Sequence, residues 1–458
     1  MSQVGTEQNP LLVAIIGSGP SGFYACEALL KSEISVKVTM LERLPVPYGL
    51  VRSGVAPDHP KLKQAIQVYA KIAESPDFRL LANVTVGTHI SVDELAESHH
   101  AVIFANGAET DRKLGIPGED LKGSYTATEF VGWYNGHPDY REREFDLSSE
   151  RALIIGQGNV AADVARILAK SVDELRHTDI AEHALDALAE SRIKEIYVIG
   201  RRGPAQVKFT PKELREFENL QICQSVVDPA ELELNPASET ELADKGNSGQ
   251  KKIYQQLQKL SSLESRDVKR HCHFTFLKSP TELKGDGHLQ SVVFEKNQLS
   301  GEALSQSARG TGEFEEMESS LLFRSIGYRG VAIPGAPFHE SWGLIPNTDG
   351  RITDDGSILT GMYVTGWIKR GPTGIIGTNR ADSVATVASL LEDLPTLGKP
   401  EKPGGAEGVC QILESRNVRY VTFGDWKIID QSEVDRGQPK GKPREKYTYI
   451  NEMLALLD

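Results

Sequence analysis

Apolar and polar positions along this chain fall into short buried-strand patterns that alternate with helical ones. Leu11 to Ile16 is a continuous apolar run with the length and β-branching of a buried strand, and a helical pattern follows to about Leu30. Residues 36–41, ending at Glu42, read as a second strand. The stretch 43–59, RLPVPYGLVRSGVAPDH, holds too many prolines and glycines for a helix or a central strand, and is expected to be a long ordered loop. A helix is predicted over 60–73, and strands over 79–86 and 101–105, with the first domain stopping near Asn106-Gly107. The pattern then restarts with a strand over 152–155, a helix from Asp163 onward, a further helical segment over 171–191 and a strand over 194–199. Beyond Asp228 the chain turns polar. A flexible loop is expected at 238–250, then a helix rich in Lys and Gln, antiparallel strands at 273–277 and 291–295, and a last strand at 321–326. A strand at 362–365, a glycine-rich turn over 366–379 and a helix near 380–391 return the chain to its first domain, and 401–458 is expected to add strands and a terminal helix. This alternation predicts an α/β fold of two nested dinucleotide-binding domains: 1–108, an inserted 109–334, and 335–458.

The turns after the two leading strands carry the chemistry. Gly17, Gly19 and Gly22 stand at G-x-G-x-x-G spacing between strand and helix. The first allows a tight turn, the second lets a pyrophosphate touch the backbone, and the third lets helix and strand pack closely. The helix N-terminus then offers free N–H groups and a positive dipole end to the phosphates, and Glu42 can accept hydrogen bonds from a ribose. Gly156-Gln157-Gly158-Asn159-Val160-Ala161 is a second such turn, with alanine in the third place. The strand after it ends in Arg201-Arg202, where the first unit has Glu42. Two guanidinium groups there suit a ribose 2′-phosphate, which points to NADP. The turn over 366–379 would bring further amides and a helix N-terminus to a ligand, and Trp367 offers it a flat face.

Composition narrows this little. Of the 458 residues, 39% are hydrophobic and 25% charged, as in ordinary globular proteins, and the length suggests two or three domains. No apolar run approaches the ~18 residues of a membrane span, and MSQVGTEQNP has neither a signal-peptide nor a transit-peptide pattern, so a cytoplasmic protein is expected. A net charge of −13 argues against nucleic acid as a partner. None of Cys26, Cys223, Cys272 and Cys410 forms a C-x-x-C or C-x-x-x-x-C motif, so a redox-active disulfide, an iron–sulfur cluster or a zinc site is not expected. His271-Cys272-His273 looks like a ligand cluster, but adjacent strand residues point to opposite faces, and no metal is expected there.

Two nested nucleotide units imply electron transfer between FAD and NADP. Several segments resemble the adrenodoxin-reductase-like ferredoxin–NADP⁺ reductases: the loop from Tyr48 to His59, the turn Gly156–Ala161, Arg201-Arg202-Gly203-Pro204, Phe209 to Glu216, and Gly366-Trp367 through Gly377-Thr378-Asn379. The resemblance covers nearly the whole chain. Without a mitochondrial targeting segment, the chain is similar to the bacterial members, whose architecture is the three-layer glutathione-reductase-like one. By resemblance, Ser21, Glu42, Leu50, Val86, Trp367, Gly374, Ile375 and Ile376 would hold FAD. Gln157, Gly158, Asn159, Val160, Arg201, Arg202, Glu213 and Gly374 would hold NADP(H). Glu213 would bond the nicotinamide carboxamide, and His59 would lie near the flavin ring as an orienting group or a proton donor. The implied activity is hydride transfer from NADPH to FAD, then single electrons to a ferredoxin-type iron–sulfur protein. An acidic ferredoxin would need a basic docking surface, for which Lys251, Lys252, Lys269 and Arg270 are candidates. Two alternatives stand beside it: an NADPH-dependent quinone or dye reductase, and an NADPH-binding electron-transfer subunit or redox sensor without turnover of its own.

Overall fold

The strand Leu11–Ile16 lies inside a seven-stranded sheet. Across that sheet the order is Asn347–Thr348, Arg351–Asp354, Ser357–Val364, Ala101–Phe104, Leu11–Ile16, Val36–Glu42, Phe78–Ala82. The last five run parallel, and the first two turn back antiparallel at the edge. Alternate side chains bury on opposite faces: Leu11, Val13, Ile15, Val38 and Met40 in one core, Ala14, Ile16, Leu41, Val102 and Phe104 in the other. A strand buried on both faces needs an unbroken apolar run, which is what made it readable. This is a computed structural model, and it describes residues 3–374, 376–400 and 404–458. Ile375 and the first three residues of the 401–458 segment lie outside the described residues.

The chain divides into two compact units, Met1–Thr110 with Gly327–Asp458, and Asp111–Ile326. Residues 327–334, expected to close the inserted domain, belong to the first unit: a Cβ on Gly330 would lie 2.4 Å from Ile368 Cδ1, so the backbone there is seated directly on that unit's core.

The second unit holds a six-stranded, all-parallel sheet in the order Ser124–Thr126, Leu322–Arg324, Arg151–Ile155, Glu195–Ile199, Arg270–Thr275, Cys223–Val226. Ala152, Ile154, Ile196 and Val198 pack into one core. On the other face Leu153, Ile155 and Ile199 meet Leu283, Val292 and Phe294 from a three-stranded antiparallel sheet, Lys278–Lys284, Ser291–Ser300 and Ser307–Glu318. That sheet covers the face where a further layer of helices would otherwise lie.

Several expected elements differ in kind. The strand expected at 273–277 as an antiparallel partner of 291–295 is Arg270–Thr275, and it runs parallel beside Glu195–Ile199. The loop expected at 238–250 is largely helix, Pro236–Ala243, followed by the start of Ser248–Ser261. Asn235 Oδ1 caps the first of these by accepting from Ser238 N at 2.7 Å, with Pro236 at its first position. Only Leu242 in that helix is large and apolar, so periodicity gave no signal. In 401–458 the described residues form the helices Gly405–Ser415, Phe423–Gly437 and Ile450–Ala455; the strand character there is a single bridge, Val421 to Ala82. The 43–59 loop contains one helical turn, Leu50–Ser53, and the 60–73 helix breaks into Pro60–Lys63 and Ala65–Ala73. The 79–86 strand stops at Ala82, because Asn83 takes a left-handed φ of 61°. The 171–191 segment is two helices, Val172–Leu175 and Glu182–Ala189.

Burial of one carboxylate yields a stability prediction. Asp111 has its pKa raised to about 6, chiefly because burial disfavours the charged form; neighbouring Thr126 and Thr128 offset this in part. Its folded pKa lies above the ordinary aspartate value, so its ionisation costs the fold stability increasingly as pH rises from about 4 to 6. Asp111→Asn should therefore match the parent near pH 4 and melt higher at pH 7, by about 2–3 kcal/mol at most at roughly 1.4 kcal/mol per pKa unit. Thermal melts at the two pH values check this; an equal shift at both would contradict it.

Candidate nucleotide-binding sites

Each unit places a glycine turn where its strand order reverses, at the carboxyl ends of neighbouring strands. In the first unit the reversal lies between Leu11–Ile16 and Ala101–Phe104. Gly17 has a φ of +106°, and a Cβ there would lie 2.6 Å from the Ala105 carbonyl oxygen. Gly22 is equally constrained: its Cβ would lie 2.1 Å from the Gly17 carbonyl oxygen, which is the close helix–strand contact the motif exists to permit. Gly19 is different. Its backbone is extended, and a Cβ would meet nothing within 4 Å. The open space over Gly19, at the start of the helix Pro20–Leu30, is where a pyrophosphate fits.

Glu42 is held firmly at the end of its strand. Its Oε2 accepts from Ser18 N at 3.1 Å and from Ser18 Oγ at 2.6 Å, and its Oε1 accepts from Leu44 N at 3.0 Å. A carboxylate has about four acceptor positions, so lone-pair capacity remains for a ribose hydroxyl. Ser18, which fixes the carboxylate's direction, was not singled out in the sequence. The 43–59 loop folds over the same turn: Tyr48 N donates to the Ser18 carbonyl at 3.1 Å, and Gly49 approaches so closely that its Cβ would lie 3.0 Å from Gly19 Cα. Leu50 opens the helical turn that follows. Val86 is buried, and so is His59, which precedes Pro60–Lys63 and donates its backbone N–H to the Ala56 carbonyl.

The return segment completes this crevice. A Cβ on Gly366, φ +79°, would lie 2.1 Å from Ser21 Oγ, so the return turn touches the first helix. Ser383 Oγ donates to the Ser21 carbonyl at 2.9 Å. Asp382 accepts from Gly366 N at 2.6 Å and Thr365 Oγ1 at 3.2 Å and pairs with Lys369 at 2.9 Å, pinning the helical turn Trp367–Arg370. The helix expected from 380 starts at Ile376, so Gly374 and Ile376 frame its N-terminus, with Gly374 and Thr378 exposed there. Among the buried polar atoms of the described residues that find no hydrogen-bond partner are the donor Trp367 Nε1 and the acceptor Asn106 Oδ1, just past the end of Ala101–Phe104. Orphaned buried polar atoms call for a ligand or water. With the open cradle at Gly19, they fit a large, flat, polar-edged cofactor such as FAD. Asn106 and Asp382 were missed because one-dimensional spacing does not reveal which strand ends lie side by side.

The second unit repeats the design with opposite charge. A Cβ on Gly156, φ +130°, would lie 2.1 Å from the Ser325 carbonyl oxygen, and Gly158 again faces open space. The helix expected from Asp163 begins earlier, at Asn159. The Gln157 side chain is directed inward: its amide donates to the carbonyls of Thr275 at 2.8 Å and Val198 at 3.3 Å, tying three strand ends together. Gln157 therefore shapes the turn, leaving its backbone to face a phosphate. Asn159 Oδ1 accepts from Thr210 N at 2.8 Å, and Val160 packs against the core. Arg201 is exposed and Arg202 half-buried, with Arg202 Nη2 reaching the Gln206 carbonyl at 3.4 Å. Neither arginine forms an ion pair among the described residues.

Glu213 sits in the short helix Pro211–Arg215 and is only 6% exposed. Arg166, completely buried, reaches Glu213 at 3.2 Å, Asp163 at 2.6 Å and Glu216 at 3.3 Å. It lies in the helix Asn159–Ala169 that follows the glycine turn, and the buried apolar residues around it hide it from the sequence pattern.

The remaining candidates resolve plainly. The described cysteines are all free; burial pushes Cys26 and Cys272 well up and Cys223 to about 12, so these three thiols stay protonated and inert. His273 Nε2 donates to Glu195 Oε2 at 2.6 Å and its ring stacks on Tyr197, while His271 lies 3.4 Å from the same carboxylate. Arg270 is not a surface docking residue: its guanidinium donates to the carbonyls of Leu168, Lys170 and Ile193. Lys251, Lys252 and Lys269 are exposed. No helix among the described residues is long and apolar enough to cross a membrane.

Two Rossmann-like crevices, one ending in a carboxylate and one in paired arginines, with no cysteine pair, define a pyridine-nucleotide-linked flavoprotein oxidoreductase. The sequence pattern of the pyridine nucleotide-disulphide oxidoreductase family matches residues 12–198. The chain is 47% identical to the NADPH-ferredoxin reductase FprA of Mycobacterium leprae, over 97% of its own length and 98% of that protein's. It is 43% identical to the mitochondrial NADPH:adrenodoxin oxidoreductase of Arabidopsis thaliana, over 97% and 95%. The solved structure of Mycobacterium tuberculosis FprA in complex with NADPH superposes with a TM-score of 0.92 at 44% identity, covering 98% of this chain and 99% of that one. This chain belongs to the adrenodoxin-reductase-like family of NADPH-ferredoxin reductases.

Proposed function

We propose that this chain takes hydride from NADPH and delivers electrons to a ferredoxin-type iron–sulfur protein, with FAD resident in the crevice of the first unit. The carrying observation is the contrast between two glycine turns of one geometry, one followed by Glu42 and the other by Arg201 and Arg202. Bound FAD supplies the conversion between a two-electron donor and one-electron acceptors. The protein's own residues bind and orient. Gly17, Gly19 and Gly22 open the backbone to the FAD pyrophosphate, Glu42 receives its ribose, and Trp367 Nε1 and Asn106 Oδ1 offer the polar contacts they otherwise lack. Leu50, Val86, Gly374, Ile375 and Ile376 are assigned to that crevice from the sequence resemblance. Gly158, with the backbone of Gln157, Asn159 and Val160, receives the NADP pyrophosphate, while Arg201 and Arg202 receive the 2′-phosphate. Glu213, steadied by Arg166, bonds the carboxamide and so sets which nicotinamide face is presented. Hydride transfer needs no protein acid or base, so His59 is assigned to orienting the site. Free cysteines suit a reducing cytoplasm.

The rival acceptor is a quinone or dye. Steady-state turnover with ferredoxin should exceed that with quinone at equal concentration, and should fall as salt rises if exposed lysines guide docking. Faster turnover with quinone would overturn the assignment of acceptor.

A further inference from the structure

The helix Phe423–Gly437 buries a carboxylate that the reaction does not use. Glu433 is 0% exposed and receives Arg52 in a two-pronged ion pair, 2.8 Å from Nη1 and 2.5 Å from Nη2. Arg444 reaches the same carboxylate at 3.2 Å and also pairs with Asp430, and Tyr447 N donates to it at 3.0 Å. Burial alone would raise this carboxyl's pKa, but Arg52 and Arg444 outweigh burial and hold it below the ordinary range. Glu433 therefore stays ionised at neutral pH.

What this cluster grips is the 43–59 loop, on either side of Gly49-Leu50. Arg52 belongs to the helical turn Leu50–Ser53, and its guanidinium lies over the Trp426 ring, 5.1 Å from the centroid. Trp426 Nε1 donates to the Tyr48 hydroxyl at 3.3 Å, and Lys446 Nζ donates to the Arg52 carbonyl at 3.3 Å. On its other side the loop meets the glycine turn through the Tyr48–Ser18 hydrogen bond and the Gly49–Gly19 contact. A buried ion pair is a poor device for stability, since apolar residues of similar volume often serve as well. What a bidentate arginine–carboxylate pair supplies is fixed geometry.

We propose that Glu433 is a positioning residue of the flavin crevice: through Arg52 it sets the Gly49–Leu50 turn against Gly19. The helix Phe423–Gly437 thus acts as a brace on the pyrophosphate cradle. This rests on the reading that the crevice holds FAD.

Two variants of the holoprotein test it. Glu433→Asp keeps the charge but draws the carboxylate back by one methylene. Arg52→Met with Glu433→Leu replaces the pair by apolar groups, leaving Arg444 its partner Asp430. FAD release, followed by recovery of flavin fluorescence on dilution, should show a dissociation constant raised several-fold by the first variant. The second should raise it about 10–100-fold, the scale on which supporting partners of a bound group act. NADP⁺ affinity, measured separately in the second unit, should stay unchanged, and thermal stability should recover in the double variant while FAD affinity does not. Native FAD affinity in both variants would overturn the proposal, as would parallel loss of FAD and NADP⁺. Should the unaltered protein fail to bind FAD, the flavin assignment falls instead.

Discussion

Replacing Arg201 and Arg202 together by glutamine is expected to weaken NADPH binding by about a hundredfold or more while leaving NADH binding nearly unchanged. Each guanidinium–phosphate contact is worth about 1.5 kcal/mol, the low end for a charge-assisted contact, because Arg201 is exposed and its interactions are screened. Two such contacts amount to about 3 kcal/mol, a little over two decades. The fold should not suffer. Neither guanidinium balances a carboxylate among the described residues, and the local backbone is held independently, by Asn297 Nδ2 on the Arg201 carbonyl at 2.9 Å and Leu277 N on the Arg202 carbonyl at 3.2 Å. Dissociation constants for NADP⁺ and NAD⁺, with unchanged melting temperature, check the result. Equal losses for the two nucleotides would remove the arginines from 2′-phosphate recognition.

The second large effect separates two glycines of one motif. Gly19→Ala should fold normally and fail to retain FAD, whereas Gly22→Ala should lose stability and flavin together. A methyl on Gly19 meets no protein atom within 4 Å and needs no unusual backbone, so its cost falls on the ligand that approaches there. A methyl on Gly22 would sit 2.1 Å from the Gly17 carbonyl oxygen, forcing helix and strand apart. Core overpacking of this kind costs about 1–3 kcal/mol, and backbone contacts yield less than side chains do. The same logic makes Gly158→Ala a variant that folds, keeps FAD and loses NADP⁺. Far-UV circular dichroism and flavin content, measured side by side, decide the matter; a Gly19→Ala protein that is yellow and stable would contradict the placement of the pyrophosphate.

The leading strands, both glycine turns and the paired arginines were legible because each is local. A strand buried on both faces must be apolar throughout, and a turn that touches phosphate must lack side chains, so Leu11–Ile16 and Gly17–Gly22 carry their structure in adjacent letters. Partners distant in sequence were not legible. Asn106 is placed by the neighbouring strand's register, Asp382 by a helix that returns from far along the chain, and Arg166 by three carboxylates, two of them some fifty residues further along the chain. Parallel pairing of Arg270–Thr275 was also hidden, since a strand's own pattern does not state its partner's direction. The same holds for Gln157, whose side chain crosses strand ends instead of facing a nucleotide. Where propensity and tertiary packing conflict, as in the weakly apolar helix Pro236–Ala243, capping at Asn235 was the better signal.

The central claim is that electrons pass from NADPH through a bound flavin to an iron–sulfur protein, and anaerobic titration tests it most directly. The purified protein should be yellow, NADPH should bleach its visible band stoichiometrically, and oxidised ferredoxin added afterwards should restore the band while itself becoming reduced. A colourless protein that cannot be reconstituted with FAD, or a yellow one that NADPH leaves unbleached, would contradict the account.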